Sequence, residues 1–258
     1  MSGHGAHWQT LSNELDRWQE AGLRARLWWR DDDAARVTPA LDRLLALSAR
    51  TGVPVLLATI PAEAEPALAD RLADRGPGIA VAQHGWAHAN HAPASEKKQE
   101  LGPHRPLSAI EDELARGRER LAALFGPLVL PVLVPPWNRM REDLAPRLPA
   151  LGLTGVSTMG PPRFAALSGM LAERNVHLDP VDWRGGRGTR EEAHVIGELA
   201  AILAQRRLGA GPQTEPVGLL THHLVHDEAG WTLIGALLAR TRDHPAVTWL
   251  TAKSLFKG

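Results

Sequence analysis

Apolar positions along this chain fall into short runs separated by longer stretches of helical spacing. Leu11, Leu15 and Trp18 recur every three to four residues, and Gly22 is a suitable stop for that helix. The run ARLWWR that follows is apolar and aromatic and ends abruptly in three aspartates (31–33), so it reads as a buried strand. Thr38 and Pro39 supply an N-cap and a first-turn proline for a Leu-rich helix that Gly52 ends. VPVLLAT (53–59) predicts a second strand, with a helix through Leu72 to Gly76 after it. GIAVAQ (78–83) predicts a third, ending at His84. A polar stretch (92–106) is too long for a tight turn; Ser108 and Glu111 after it have capping-box spacing and predict a helix reaching Phe125.

VLPVLV (129–134) predicts the fourth strand, followed by a helix broken by Pro146 and Pro149. TGVST (154–158) and NVHLD (175–179) are further strand candidates. A Gly/Arg loop (184–190) precedes a long helix to Leu208, VGLLTH (217–222) reads as a strand, 231–240 as a helix and AVTWL (246–250) as the last strand. Strands alternating with helices argue for parallel βα units. Seven or eight strands without a linker-like break predict an α/β fold over 1–258, a single distorted (β/α) barrel of seven or eight units.

Composition removes several function classes. A chain 44% hydrophobic and 22% charged is not disordered. Lys+Arg and Asp+Glu both number 29, so the basic surplus of a nucleic-acid partner is missing. With no cysteine, disulfide scaffolds, thiolate zinc sites and cysteine nucleophiles are excluded. The first residues lack the basic segment and apolar core of a secretory signal, and no apolar run reaches the roughly 18 residues of a membrane span. The expectation is a cytoplasmic protein without a membrane span, its oligomeric state open.

The unusual polar residues fall at the C-terminal ends of the predicted strands, where a barrel gathers catalytic groups into one bowl. They are Asp31, Asp32 and Asp33, then His84 and His88, then Pro135, Pro136 and Trp137, then Asp179, Asp182 and Trp183, then His222 and His223. His84 and His88 lie four apart, which on a helical turn puts two imidazoles on one face, a common arrangement for zinc. Three adjacent carboxylates after a buried strand are costly unless a cation or an arginine compensates them. One of His222, His223 and His226 is a candidate acid or base, since imidazole titrates near neutral pH. Trp86, Trp137 and Trp183, with Pro136 in the proline-rich turn, are candidates for lining a sugar groove, although tryptophan equally fills cores. Lys97, Lys98 and Arg105 in the 95–105 segment are candidates for meeting an anionic substituent, or belong to a charged surface loop.

Together these motifs resemble the polysaccharide deacetylase family, the NodB-homology or carbohydrate esterase family four fold, in order from Arg26 to Asp227. The resemblance implies a distorted barrel, a divalent metal, zinc first among the candidates, and an acetylated carbohydrate as substrate. WWRDDDA matches the first motif and implies Asp32 as catalytic base and Asp33 as metal ligand, with Asp31 leaving a register shifted by one open. His84 and His88 match the family's two histidine ligands. In the third motif, VPPWNR carries Val134 where the family has an arginine that orients the base, so Arg139 or Arg30 is the candidate substitute. DPVDW implies Asp182 and Trp183 as the pair supporting the site, and VGLLTHH implies His222, rather than His223, as the catalytic acid. Two other readings stand beside deacetylation of a glycan. One keeps the metal and acts on a small acylated substrate, an amide or cyclic imide; the other is a carbohydrate-binding member without turnover, favoured by the missing arginine.

Overall fold

The computed structural model describes residues 5–167, 169–209 and 215–257; the first residues of the stretch read for a leader lie outside them. The predicted strand after Gly22 forms as Ala25–Ala34 (β1), an interior strand of a wholly parallel, curled sheet. Val55–Thr59 (β2), Ile79–His84 (β3), Val129–Val134 (β4), Gly155–Val156 (β5) and Ala172–Glu173 (β6) follow on one side. On the other side, Val217–Thr221 (β7) pairs with Leu27–Asp31 of β1 and Val247–Trp249 (β8) with its first three residues. The architecture is the expected distorted (β/α) barrel.

Alternation along β1 separates two cores. Leu27 and Trp29 face outward into a layer with Leu11, Leu15 and Trp18 of helix Ala6–Glu20 (α1) and Leu41 and Leu44 of helix Pro39–Thr51 (α2). Helices Pro66–Ala73 (α3), Glu192–Arg207 (α5) and Glu228–Arg242 (α6) complete that layer. Trp28 faces inward among Leu56, Ala82, Val132 and Leu220, and its Nε1–H donates to the Asn175 carbonyl at 3.2 Å. The last short helix, Ala252–Leu255 (α7), plugs the bottom of the barrel with Leu255 and Phe256, the latter edge-on to Trp28 at 6.1 Å. The plugged end is opposite the strand ends that carry the polar residues.

Thr38 caps α2 by accepting the Leu41 N–H at 3.0 Å, and Gly52 ends it with φ +67°, as the sequence predicts. Three expectations change. Helix Leu107–Phe125 (α4) starts one residue before Ser108 and has no side-chain cap, because Pro106 holds the capping position in an extended conformation. Pro146 and Pro149 turn the expected broken helix into a 3₁₀ segment, Glu142–Leu151, whose shorter repeat tolerates them. Residues 175–179 make no regular strand; Val176 bridges to Met159 and Leu178 to Leu219. The Asn175 side chain accepts the Thr158 N–H at 2.8 Å, replacing a backbone acceptor and interrupting the ladder. Those single bridges nonetheless lean the β5–β6 edge onto β7. A Cβ on Gly218 would sit 2.7 Å from the Val176 Cα, so this approach requires a glycine in β7.

His177 lies in the same segment, with the Gly218 N–H 3.1 Å from Nδ1 and Arg206 Nη2 2.9 Å from Nε2. Burial, reinforced by the Arg206 charge, pushes its pKa down to about 4. The unfolded chain then takes up a proton near pH 6.5 that the folded protein refuses until about pH 4. The contribution of His177 to stability is therefore complete above pH 6.5 and is lost as pH falls towards 4. A His177→Asn variant should be destabilised at pH 7.5, and the gap to wild type should shrink by on the order of 2 kcal/mol at pH 4.5. Urea unfolding of both proteins at the two pH values measures this; a constant gap would contradict it.

Candidate active site

The three adjacent aspartates separate because β1 is bulged at its end. Asp31 is in register with Leu57 and Ala34 with Thr59, so three steps on β1 match two on β2. An extra residue at a strand end re-aims side chains, and Asp33 absorbs the turn with φ +70°. Asp32 stays on the inner face with Arg30, Asp31 turns outward to β7, and Asp33 turns towards the loop after β3.

On that loop, His84 closes β3 and donates its Nδ1–H to the Val134 carbonyl at 2.9 Å. This orientation leaves the Nε2 lone pair towards Asp33. His84 Nε2 lies 3.2 Å and His88 Nε2 3.4 Å from Asp33 Oδ1. The ligand atoms of Asp33, His84 and His88 all lie within 4.8 Å of one another. One carboxylate oxygen and two imidazole nitrogens converging on one point fit a divalent cation of the zinc type. The histidines do not share a helical face. They meet because Gly85 (φ +58°) and His88 (φ +53°) turn the chain back on itself. Gly85 is obligatory, as a Cβ there would collide with the Glu100 carboxylate and the Pro136 ring.

Glu100, which sequence reasoning passed over, organises this loop. Fully buried, it accepts the Ala87 N–H at 2.8 Å, the Trp86 N–H at 3.0 Å and the Ala89 N–H at 3.3 Å. The signal available was an acid followed directly by an apolar Leu101 within the polar stretch; Leu101 is buried and bridges to Met140.

Asp32 is held by a fork. Arg30 Nε donates to Oδ1 at 2.8 Å and Nη2 to Oδ2 at 3.0 Å, the planar pairing that orients a carboxylate. The rest of the guanidinium is spent on Ser157 Oγ at 2.7 Å and Asn138 Oδ1 at 2.7 Å, and Arg30 is fully buried. Of the two candidates for the arginine absent at position 134, Arg30 therefore reaches Asp32, whereas Arg139 donates to the Lys98 carbonyl at 3.1 Å. A guanidinium two residues before Asp32 on the same face of one strand does from β1 what the family pattern expects from β4.

At the end of the neighbouring β7, the His222 ring stands edge-on to Trp183 at 4.7 Å. Its Nδ1 is buried without a hydrogen-bond partner among the described residues. Beside it lies Asp179, whose Oδ2 accepts the Trp183 Nε1–H at 2.8 Å and whose Oδ1 accepts the Val181 N–H at 2.9 Å. Burial raises the Asp179 pKa in spite of the His222 charge and these hydrogen bonds. Asp182, expected to support the site, lines the cavity beside Asp179 and Trp183 but makes no side-chain contact with His222 among the described residues. Its carboxylate accepts the N–H groups of Arg184 and Gly185 and shapes the turn instead. In DPVDW the first aspartate faces His222 because the second is consumed by its own backbone.

The candidate aromatic residues divide. Trp183 is exposed, and Trp137 (φ +55°) lies against His88 at 4.3 Å with Lys98 over its ring at 6.0 Å. Trp86 stacks under Arg116 of α4 at 4.9 Å, and Pro136 is buried against Gly85, so neither lines the opening. Arg105 is drawn onto Glu113 and His91, away from any anion site. Electrostatically, burial opposes a charge on Asp33, but the hydrogen bond from His84 and the charges of His84, His222 and His88 hold it well below the usual carboxylate range. The imidazoles move in opposite directions. Burial disfavours a charge on His84, but Asp33 and Asp32 raise its pKa, whereas burial and His84 lower that of His88. Two cavities flank the cluster. One of about 390 Å³ is lined by Asp33, Ile60, His88 and Leu224; one of about 700 Å³ by Met159, Asp179, Trp183 and Arg190.

No family model and no curated protein matches the chain. Solved structures do. A protein of Mycobacterium smegmatis described as a polysaccharide deacetylase is 18% identical, with TM-score 0.64 over 91% of this chain and 90% of that one. The Bc1960 peptidoglycan N-acetylglucosamine deacetylase is 16% identical, with TM-score 0.56 over 90% and 88%. A family 4 acetyl xylan esterase from Clostridium thermocellum, solved with a cobalt ion, is 14% identical, with TM-score 0.50 over 90% of each chain. The chain has the fold of the polysaccharide deacetylases, at a sequence distance that sets it apart from each of these.

Proposed function

We propose that this protein is a metal-dependent hydrolase that removes an acetyl group from an acetylated carbohydrate. The observation carrying the proposal is the convergence of three ligand atoms, from Asp33, His84 and His88, at the strand ends that also carry the fork-held carboxylate of Asp32 and the imidazole of His222. The shared fold supports the same reading. Two flanking cavities favour a saccharide extending past the reacting position over a small amide enclosed in a single pocket.

Asp33, His84 and His88 would hold the cation, with zinc the first choice and cobalt, nickel or iron served by the same donors. A bound cation supplies Lewis acidity, polarising the acyl carbonyl and lowering the pKa of a water. Asp32 takes the proton of the attacking water at a carboxylate oxygen, while Arg30 fixes the plane of that carboxylate. His222 delivers a proton to the departing amine or alcohol, and Asp179 lies beside it in the position expected of Asp182. Trp183 covers His222 and offers an exposed face to a sugar ring. Because Arg30 holds Asp32 in a fork, the missing arginine at position 134 does not by itself favour a protein without turnover.

Elemental analysis of untagged protein should find about one equivalent of a divalent transition metal, absent from the His84→Ala/His88→Ala double variant. Failure to bind any such ion, even on reconstitution, would remove the hydrolase reading. Acetate release from N- and O-acetylated oligosaccharides should fall about 100- to 10,000-fold in Asp32→Asn with the metal retained. Arg30→Lys keeps the charge but loses the fork, so it should also lower kcat without metal loss. Glu100→Gln leaves one carbonyl oxygen for three N–H donors and should weaken metal binding roughly 10- to 100-fold. Competition with a chelating dye reads that change, and an unaltered affinity would mean that the loop holds its shape without Glu100.

A further inference from the structure

Asp31, the extra aspartate of the first motif, is fully buried and faces away from the reacting position. Its carboxylate collects three donors from Thr221 and His223 at the end of β7. Thr221 Oγ–H donates to Oδ2 at 2.6 Å and the His223 N–H at 3.1 Å, while His223 Nδ1 meets Oδ1 at 2.5 Å. Behind them, Trp29 Nε1–H donates to Thr221 Oγ at 2.8 Å. His223 is 1% exposed, and its Nε2 has no partner among the described residues. Asp31 and Thr221 are register partners on the parallel pair β1 and β7, so this network lies where the two strands run into the site.

The position of the network gives it a use. Asp31 directly precedes Asp32 and Asp33, and His223 directly follows His222. Among the described residues, no other side-chain hydrogen bond ties residues 31–33 to residues 222–223. His222 itself is held through its backbone, whose N–H donates to His226 Nε2 at 3.1 Å and whose carbonyl accepts the Val225 N–H at 2.9 Å, and by the Trp183 edge. Its ring Nδ1 makes no hydrogen bond among the described residues. We propose that Asp31 and His223 form a latch that sets the position of His222 relative to Asp32 and Asp33, making both positioning residues rather than an acid–base pair. The catalytic consequence rests on the deacetylase reading; the latch itself does not.

The variants follow from the chemistry of the contact. Asparagine places an N–H donor where Nδ1 stands, so His223→Asn keeps the hydrogen bond to Asp31 and discards Nε2. His223→Leu discards both, and Asp31→Asn removes the acceptor charge. The first readout needs neither metal nor activity. In metal-free protein, the His222 ring-proton resonances, assigned through His222→Asn, are displaced by the ring current of Trp183. They should hold their wild-type positions in His223→Asn and move towards those of a free imidazole in His223→Leu and Asp31→Asn, all compared at equal folded fraction by circular dichroism. The second readout is kinetic. His223→Leu should lower kcat at least tenfold with KM within twofold of wild type, and His223→Asn should restore kcat to within about threefold. Unmoved His222 resonances in His223→Leu would overturn the latch. Equal loss of kcat in His223→Asn and His223→Leu would overturn it too, by making Nε2 the working atom. If the wild type hydrolyses no acylated substrate, the deacetylase reading fails, and the resonance comparison still decides the latch.

Discussion

Everything at this site depends on ending a buried strand with three carboxylates and leaving none of them uncompensated. Taking an ionised carboxylate out of water costs several kcal/mol unless charge or hydrogen bonds replace its hydration. The chain meets that cost in three directions. Arg30 receives Asp32, the two histidines receive Asp33, and the end of β7 receives Asp31. No single cation could serve all three from one side, because adjacent strand residues alternate faces. The bulge between Asp31 and Ala34 is what makes the three directions compatible, and it demands the left-handed backbone at Asp33. Chemistry and architecture meet in that one irregularity.

Strain elsewhere follows the same distribution. Among the described residues, five other than glycine have positive φ, and Asp33, His88, Trp137 and Asn138 surround the reacting position. Each left-handed residue of this kind costs on the order of 1 kcal/mol or more and persists only where its surroundings over-determine it. Those surroundings are visible. Glu100 holds the loop carrying His88, and Asn138 Oδ1 is pinned by Arg30. A buried acid in one loop and a buried arginine in a strand thus support backbone conformations that neither loop would keep alone.

What could be read in the sequence was whatever has a local cause. The strands VPVLLAT and VLPVLV, the Thr38–Pro39 helix start and the Gly52 stop are written in patterns of a few residues, and they form as predicted. That Asp33, His84 and His88 would come together was legible through motif order, and their convergence depends on strand-end placement that the βα alternation already implied. What was not legible depends on where a side chain finds its partner. Asp182 and Asp179 are the same residue type three positions apart, and only the turn at Arg184 and Gly185 decides which one is consumed. Ser108 had the spacing of a cap but lost the position to Pro106, whose fixed φ suits the residue before a helix. Glu100 carries no motif, since its role is to accept three N–H groups from a loop more than ten residues earlier.

The arginine at position 30 shows how this chain orients Asp32 although it carries valine at position 134. A bidentate fork is defined by two parallel N–H···O contacts, and its geometry is indifferent to which strand supplies the guanidinium. Position 30 shares the inner face with Asp32 and is separated from it by a single outward residue, so β1 alone sets the distance between guanidinium and carboxylate. An arginine from β4 would instead have to cross β3 and β2 in the sheet order to reach the same carboxylate. Valine at 134 then joins the inner apolar core, buried with Leu56, Ala82 and Val132. The exchange replaces a contact between distant strands with one inside a single strand, and it binds the orientation of Asp32 to the rigidity of β1 itself.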